Sequence, residues 1–298
     1  MHCNINGTTY TISTHVREEV LVRESFFGLA RSTFGLDFEP WFQNGYWTDN
    51  YIPYALLDGN RVVANISVNV ISTEWKGIPK RYIQLGTVMT AEEYRGRGFS
   101  RFLMETVIGE QAPLCDAIYL FANDSVLDFY PRFGFVPAKE YQYRLHVMPR
   151  TSSVRKLDME LVADRQLLLD KYTQLNNPFS ALPMKRNIGL LMFYCRQWLK
   201  DCVYYVEDCD VVAIVQQVDT SLLCYDLFGS NEGKGLNDIL SALVTTQVST
   251  VVFGFPLKDM ASCPPVLLKE EDTTLFIFNE KENLFATNQL MFPLLSHA

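Results

Sequence analysis

The sequence predicts an α/β (α+β) chain in two halves, each a mixed, mostly antiparallel twisted sheet with flanking helices. Three observations predict it. Apolar runs of strand length alternate with amphipathic runs of helix length along both halves. The strand–helix–strand order within 81–122 implies a parallel pair with a right-handed crossover, inside a sheet that otherwise advances by hairpins. The second half also repeats the first. LDGNRVVAN (57–65) resembles EDCDVVAI (207–214), and RGRGFSRFL (95–103) lines up with EGKGLNDIL (232–240), in the same order and with similar spacing. The 298 residues have room for two domains of about 150 each. The polar, turn-rich stretch MPRTSSVRK (148–156) divides 1–150 from 151–298.

Each element has a local reason. In 15–35 the apolar residues fall at 16, 20, 22, 26, 27, 29 and 30, a helical spacing that Gly35 can stop. The stretch 38–53 is aromatic and broken by Pro and Gly, so it reads as a short helix or ordered loop. In 54–70 two apolar runs flank Asp58-Gly59-Asn60-Arg61, a hairpin signal. A strand follows at 81–90, a helix at 100–110 and a short buried strand at 117–122. A helix over 124–133 is expected with Asp124 as its N-cap, then a closing strand over 134–147. The second half reads as a hairpin at 202–218, a strand at 221–229, a helix at 236–244 and a strand at 250–255.

Composition narrows the function. Lys plus Arg number 26 and Asp plus Glu 34, a net charge of −8. That argues against broad nucleic-acid binding and suits cationic small molecules. Apolar residues make up 48% of the chain and charged residues 20%, enough for an ordinary core in each half. The seven cysteines include no CxxC pair, and no histidine follows Cys195, Cys202 and Cys209 at a zinc-ligand spacing. They read as small buried hydrophobes, with no metal and no disulfide framework expected. The start MHCNINGTTY has neither the basic nor the apolar part of a signal peptide, and no apolar run approaches the ~20 residues that span a bilayer. The expectation is a cytoplasmic protein without membrane contact.

The turn YRGRGFSRFL (94–103) carries the chemistry. A strand-to-helix turn leaves the first helical N–H groups unpaired, pointing one way and carrying a partial positive charge. Glycine lets an anion approach that backbone, and Gly96 and Gly98 are both here. Arg95, Arg97 and Arg101 add positive charge, and a guanidinium fork suits phosphate oxygens. A pyrophosphate is the natural guest. There is no GxxxxGK[ST], and the position that would complete GxGxxG is Arg101, so neither the P-loop nor the Rossmann fingerprint applies.

The company of this turn is informative. Val88-Met89-Thr90, then Arg95-x-x-Gly98-x-Ser100, a helix, a strand ending at Ala122, and then Asn123, Val126, Tyr130 and Gly134-Phe135 closely resemble the GNAT superfamily of acetyl-CoA-dependent N-acetyltransferases. The resemblance covers about 54–147 well. It implies two tandem GNAT-like folds and acetyl-CoA as co-substrate. It implies that the amides of Arg95, Gly96, Arg97, Gly98, Phe99 and Ser100 bind the pyrophosphate. It implies that the backbone of Val88, Met89 and Thr90 pairs with the pantetheine arm, that the strands flanking the loop helix splay to admit the thioester, and that Asn123 bonds the arm. It also implies that Tyr130 donates a proton to the departing thiolate, which a phenol neutral at pH 7 can do. Ser100 stands where the family has Gly or Ala, and Glu92 where it often has Pro.

In the second half Glu232 replaces Arg95, and the segment after 255 is proline-rich and lacks tyrosine. A carboxylate beside a phosphate nest repels it. The half 151–298 is therefore expected to be a degenerate copy without its own coenzyme site, packed on the first. The resemblance implies that the acceptor is a primary amine of a small molecule or peptide. Candidate bases are Glu74, Asp49, His146 and the C-terminal carboxylate after His297. The segment 37–51 mixes Trp41, Phe42, Tyr46, Trp47 and Tyr51 with Asp37, Glu39 and Asp49, and suits either an organic cation or a packed aromatic core. Competing readings are an acyl-CoA sensor without turnover and an aminoacyl transferase on the same scaffold. The latter would be expected to carry a basic surface and no formed coenzyme loop.

Overall fold

A computed structural model describes residues 1–230, 233–259 and 263–297. The chain opens with a hairpin, β1 (His2–Ile5) and β2 (Thr8–Ser13), turning on Asn6 and Gly7 at φ 52° and 82°. Asn-Gly is the pair that tolerates two positive φ values in succession. Helix α1 (Val20–Phe34) buries Val22, Phe26, Phe27, Leu29 and Ala30, and Gly35 stops it at φ 69°. A short α2 (Glu39–Gln43) follows. The expected hairpin is β3 (Tyr51–Asp58) and β4 (Arg61–Trp75), and the next elements are β5 (Ile78–Thr90), α3 (Phe99–Gln111) and β6 (Ala117–Ala122).

Two expectations change here. The stretch 124–133 is not an α-helix but two 3-10 turns, Asp124–Val126 and Tyr130–Phe133. Pro131 lacks the N–H that a continuous helix would need at that point. The stretch 134–147 is not one strand but three, β7 (Phe135–Pro137), β8 (Tyr141–Gln142) and β9 (Arg144–His146).

The second half contains β10 (Val154–Lys156), α4 (Val162–Gln174), α5 (Ile188–Arg196), β11 (Val203–Val206), β12 (Val211–Val218), β13 (Ser221–Gly229), α6 (Leu236–Ser241), β14 (Thr250–Phe253), β15 (Val266–Leu267) and β16 (Thr274–Phe278). Among the described residues no helix is long and apolar enough to cross a membrane.

The first large sheet runs β1-β2-β3-β4-β5-β6-β16-β7 and the second β10-β11-β12-β13-β14-β9, while β15 and β8 form a small third sheet. Among the described residues each large sheet has a single parallel pair, β5 with β6 and β13 with β14. The sheets are not confined to 1–150 and 151–298. The strand beside β6 is β16, from the end of the chain, and the strand beside β14 is β9, from before the linker. Each sheet is thus completed by the other half. The largest core cluster lies on the α1 side and is shared as well: Phe26, Trp41 and Tyr119 from the first half are buried with Phe193, Phe228 and Phe292 from the second. Helix α3 covers the opposite face of the first sheet through Phe99, Leu103, Met104 and Val107.

Candidate active site

The parallel pair is short. Strand β5 pairs with β6 only from Tyr82/Ala117 to Leu85/Leu120. Beyond that, β6 stays paired with β16 on its other edge, while β5 continues alone on this side through Gly86, Thr87, Val88, Met89 and Thr90. A register shift between Asn65 and Ser67 of β4 marks the divergence, and Thr87 there has φ 42°. A bulge bends its strand and increases the local twist. Three contacts hold the bend: Asn65 Nδ2 donates to the Ser67 hydroxyl (2.9 Å) and to the Thr87 carbonyl (3.0 Å), and the hydroxyls of Tyr51 and Thr87 share a hydrogen bond (2.8 Å).

The V between the strands is a cavity of about 650 Å³. Val88, Met89, Thr90, Arg95, Ser100, Asn123, Val126 and Tyr130 all line it. Residues singled out by motif along 43 positions of sequence, 88–130, therefore meet around one space.

At one end lies the start of α3. Its N-cap is Gly98 at φ 83°, and Gly96 has φ 75°. A Cβ added at either glycine would meet no protein atom, so the requirement is conformational. No side chain caps this helix, and the first intrahelical bond is Phe102 N–H to Gly98 O. The amides of Phe99, Ser100 and Arg101 are left to an external acceptor. The Ser100 hydroxyl bonds that of Thr90 (2.9 Å), tying helix to strand. The three arginines differ. Arg95 lines the cavity and donates Nε to the Thr90 carbonyl (3.4 Å). Arg97 instead donates to the Glu93 carbonyl (2.8 Å) and lies over the Tyr94 ring, so its side chain braces the loop. Arg101 pairs with Glu105. The Phe99 ring is core, packed edge-on to Tyr10. For Arg97 and Phe99 only the backbone is left to serve the loop.

At the other side stand Asn123 and Tyr130. Asn123 Nδ2 donates to the Asp272 side chain (2.9 Å), and Asp272 also accepts from the Asp124 N–H (2.6 Å). The Asn123 side-chain oxygen, Oδ1, remains as the group to offer a ligand, since its backbone carbonyl already accepts from the Val126 N–H (3.0 Å). Tyr130 is 5% exposed, packed by Phe129, Phe135 and Phe276. Burial alone pushes its phenol up to about 12, so it is protonated throughout the neutral range. Asp272 and Phe276 come from the last strand and the turn before it. No motif marks them, and only the strand exchange brings them here.

The candidate bases do not join them. Among the described residues no carboxylate or imidazole lines the cavity. Glu74 is paired with Lys185 and Lys258, and the Lys185 hydrogen bond holds it below the usual carboxylate range. Asp49 pairs with Arg17 (2.7 Å) with its side chain 93% exposed. His146 is exposed on β9, opposite Thr250 of the second sheet. The carboxylate of residue 298 lies outside the described residues. His297 is near: its ring stacks on Phe121 (3.8 Å), which lines the cavity, and burial pushes its imidazole down to about 3.

Of the two readings of the aromatic segment 37–51, the structure favours the packed core. Trp41, Trp47 and Tyr51 are buried, and both indole N–H groups are satisfied inside, on Gly189 O (2.7 Å) and Tyr51 O (3.0 Å). Phe42 and Tyr46 already carry guanidinium groups of this chain, from Arg23 and Arg196. Asp37 binds Arg31, and Glu39 accepts from Gln43. The aromatic groups are used in packing the halves together, and the acidic groups are partnered within the first half.

The second parallel pair repeats the first and ends differently. It too pairs four residues, Ser221/Thr250 to Cys224/Phe253, with a register shift on the neighbouring strand between Ile214 and Val215. Its V is filled by residues 176–181. Asn176 O accepts from Gly229 N–H (3.2 Å) and Asn177 Nδ2 donates to Asp226 on the β13 side. On the other side Ala181 N–H donates to Pro256 O (2.7 Å) and Lys258 N–H to Phe179 O (2.8 Å). The helix start is capped as well, since Asp238 accepts from the Gly235 N–H (2.9 Å). Glu232, the expected repelling residue, lies outside the described residues.

Residues 21–135 match the model of the Acetyltransferase (GNAT) family. Among solved structures, the chain is similar to a conserved protein of unknown function and probable N-acyltransferase from Enterococcus faecalis V583, at 16% identity over 91% of this chain and 72% of that one, with a TM-score of 0.60. It is also similar to a GCN5-related N-acetyltransferase from Kribbella flavida (16%, 91% and 72%, TM-score 0.55) and to Eis1 from Mycobacterium abscessus (13%, 92% and 74%, TM-score 0.54). At these identities the likeness is one of fold, and it spans both halves. No curated protein matches the chain.

Proposed function

Because residues 21–135 match the model of the acetyltransferase (GNAT) family, we propose that this chain is an acyltransferase of that kind, moving the acetyl group of acetyl-CoA to a primary amine by direct attack in a ternary complex. The observation that carries this reading is the cavity between β5 and β6. It is lined by the uncapped, glycine-bearing start of α3, by an unpaired strand edge and by a buried tyrosine.

The residues present fit the coenzyme. The amides of Arg95 to Ser100 and the Arg95 guanidinium suit a pyrophosphate. The β5 edge at Val88, Met89 and Thr90 can accept an amide-bearing arm as a strand would. The Asn123 side-chain oxygen can take an N–H of that arm. The coenzyme supplies an activated acyl thioester. The C–N bond forms as the C–S bond breaks, the amine gives up one proton, and Tyr130 gives one to the sulfur. Burial that keeps the phenol protonated also disfavours a bare thiolate beside it, so the transfer runs between groups that are both pushed up.

We assign this chemistry to the domain 1–150, completed by the exchanged strand β16, and read 151–298 as a copy without a coenzyme site. The filled second V and the Asp238 cap support that reading. The test is acetyl-CoA titration by calorimetry, followed by a primary-amine panel scored by free-thiol release. One bound acetyl-CoA per chain and amine-dependent thiol release are expected. Absence of binding overturns the proposal, and so does binding with no amine acetylated.

A further inference from the structure

Resting on that acyltransferase reading, we infer that the acceptor is an amine carrying an apolar group, taken up as the free base on the α1 side of the sheet. The cavity passes through the sheet between the diverging strands. On the α3 side it is bounded by the groups assigned to the coenzyme. On the α1 side it is bounded by Thr33, Phe34, Leu36, Met89 and Phe121. Met89 is buried, and Phe34 is 45% exposed at the mouth.

Arg95 is the one charged lining residue among the described residues. With Arg95 given to the pyrophosphate, a cation entering this space meets no carboxylate among the described lining residues, and burying an uncompensated charge is costly. The net charge of −8 can attract cations to the surface, but it provides no partner here. The acids on the neighbouring segment, Asp37 and Glu39, are bound to Arg31 and Gln43. An amine with an apolar substituent has the opposite balance. Its substituent gains from burial against Phe34, Leu36 and Phe121, and an apolar mouth favours the neutral amine over the ammonium.

This also accounts for the missing base. A free amine needs no proton removed before attack. The nitrogen bonds to the thioester carbon, the C–S bond breaks, one N–H proton leaves to water and one proton reaches the sulfur from Tyr130. The titratable groups facing this space are Arg95 and Tyr130, with the neutral His297 ring behind Phe121. Neither the Tyr130 phenol nor the His297 imidazole changes charge near pH 7, so the pH response belongs to the amine.

The test compares 2-phenylethylamine and hexylamine with spermidine, with acetyl-CoA saturating. The apolar amines are expected to exceed spermidine in kcat/KM by at least about tenfold, the factor that burying such a group is worth. Their kcat/KM is expected to rise about tenfold per pH unit below the amine's own pKa, following the free-base fraction. The exposed Phe34→Glu variant should retain acetyl-CoA affinity, lose about tenfold with 2-phenylethylamine and gain with spermidine. A wild-type preference for spermidine, or a flat pH profile, overturns the inference. If acetyl-CoA does not bind at all, the acyltransferase reading itself has failed. If it binds and only polycations are acetylated, the acceptor inference fails alone.

Discussion

The two parallel strand pairs of this chain are built alike and used differently. Each pairs four residues, each diverges beside a register shift on the neighbouring strand, and each precedes a glycine-bearing turn into a helix. In the first, the V is an open cavity and the helix start has no cap. In the second, the chain's own residues 176–181 lie in the V and Asp238 caps the helix. The backbone at the caps differs too: Gly98 has φ 83° whereas Gly235 has φ −80°. The fold supplies a slot, and what enters it decides whether a ligand can. A peptide with its own N–H and C=O groups satisfies the edges of the second V, as an amide-bearing arm would satisfy those of the first.

The largest expected effect tests whether the two halves are separable at all. Residues 1–150 alone lack β16, which sits between β6 and β7, and leave β9 without its sheet. We expect this fragment to be insoluble or to give a poorly dispersed amide spectrum, and co-expression with 151–298 to restore it. A well-folded 1–150 that binds acetyl-CoA would break the strand-exchange argument.

Next is Tyr130→Phe. General acids contribute about 10²–10⁴-fold, so kcat should fall by that order while acetyl-CoA affinity holds within a factor of about two. The variant keeps the ring that packs on Phe135 and Phe276, so folding is preserved. Unchanged kcat would remove Tyr130 from the chemistry.

A smaller effect compares the loops directly. Arg95→Ala should weaken coenzyme A about 10- to 100-fold, the range of a charge-assisted hydrogen bond. Lys234→Ala, at the basic residue of the copy, should leave affinity unchanged. Equal losses would mean that the second turn also binds phosphate.

Much of this was legible in the sequence. The hairpin at 54–70 carried its Gly59-Asn60 turn, β6 and β13 were bounded by their own apolar runs, and Arg95, Asn123 and Tyr130 kept motif spacings that converge on one cavity. What was not legible is long-range. Asp272 and Phe276 reach the site because β16 inserts beside β6, and nothing local in either strand names its partner. Pairing between strands 150 residues apart depends on which edges remain open once the halves form. The aromatic segment 37–51 was ambiguous for a related reason, since Trp41 and Trp47 look the same in sequence whether their N–H groups meet a ligand or, as here, Gly189 and Tyr51. The Asn6-Gly7 hairpin did carry a local signal, the dipeptide itself.

The smallest expected effect concerns the filled V. Asp226 is buried on β13, accepting from Asn177 Nδ2 and the Leu227 N–H, and desolvation pushes its carboxyl up to about 7. In the unfolded chain it returns to about 3.9. Between those values the folded state holds a proton that the unfolded state has released, so stability falls as pH rises from about 4 to about 7 and then levels. Three pKa units correspond to at most about 4 kcal/mol. Glu140, buried and raised to about 8, acts with the same sign and reaches higher in pH. Asp226→Asn keeps the shape and removes this one contribution. Its urea midpoint should therefore depend less steeply on pH than that of the wild type below about pH 7, and the two curves should run parallel above it. Parallel curves across the whole range would show that Asp226 is charged in the fold. The 176–181 segment would then be neutralising a carboxylate, not simply occupying a slot.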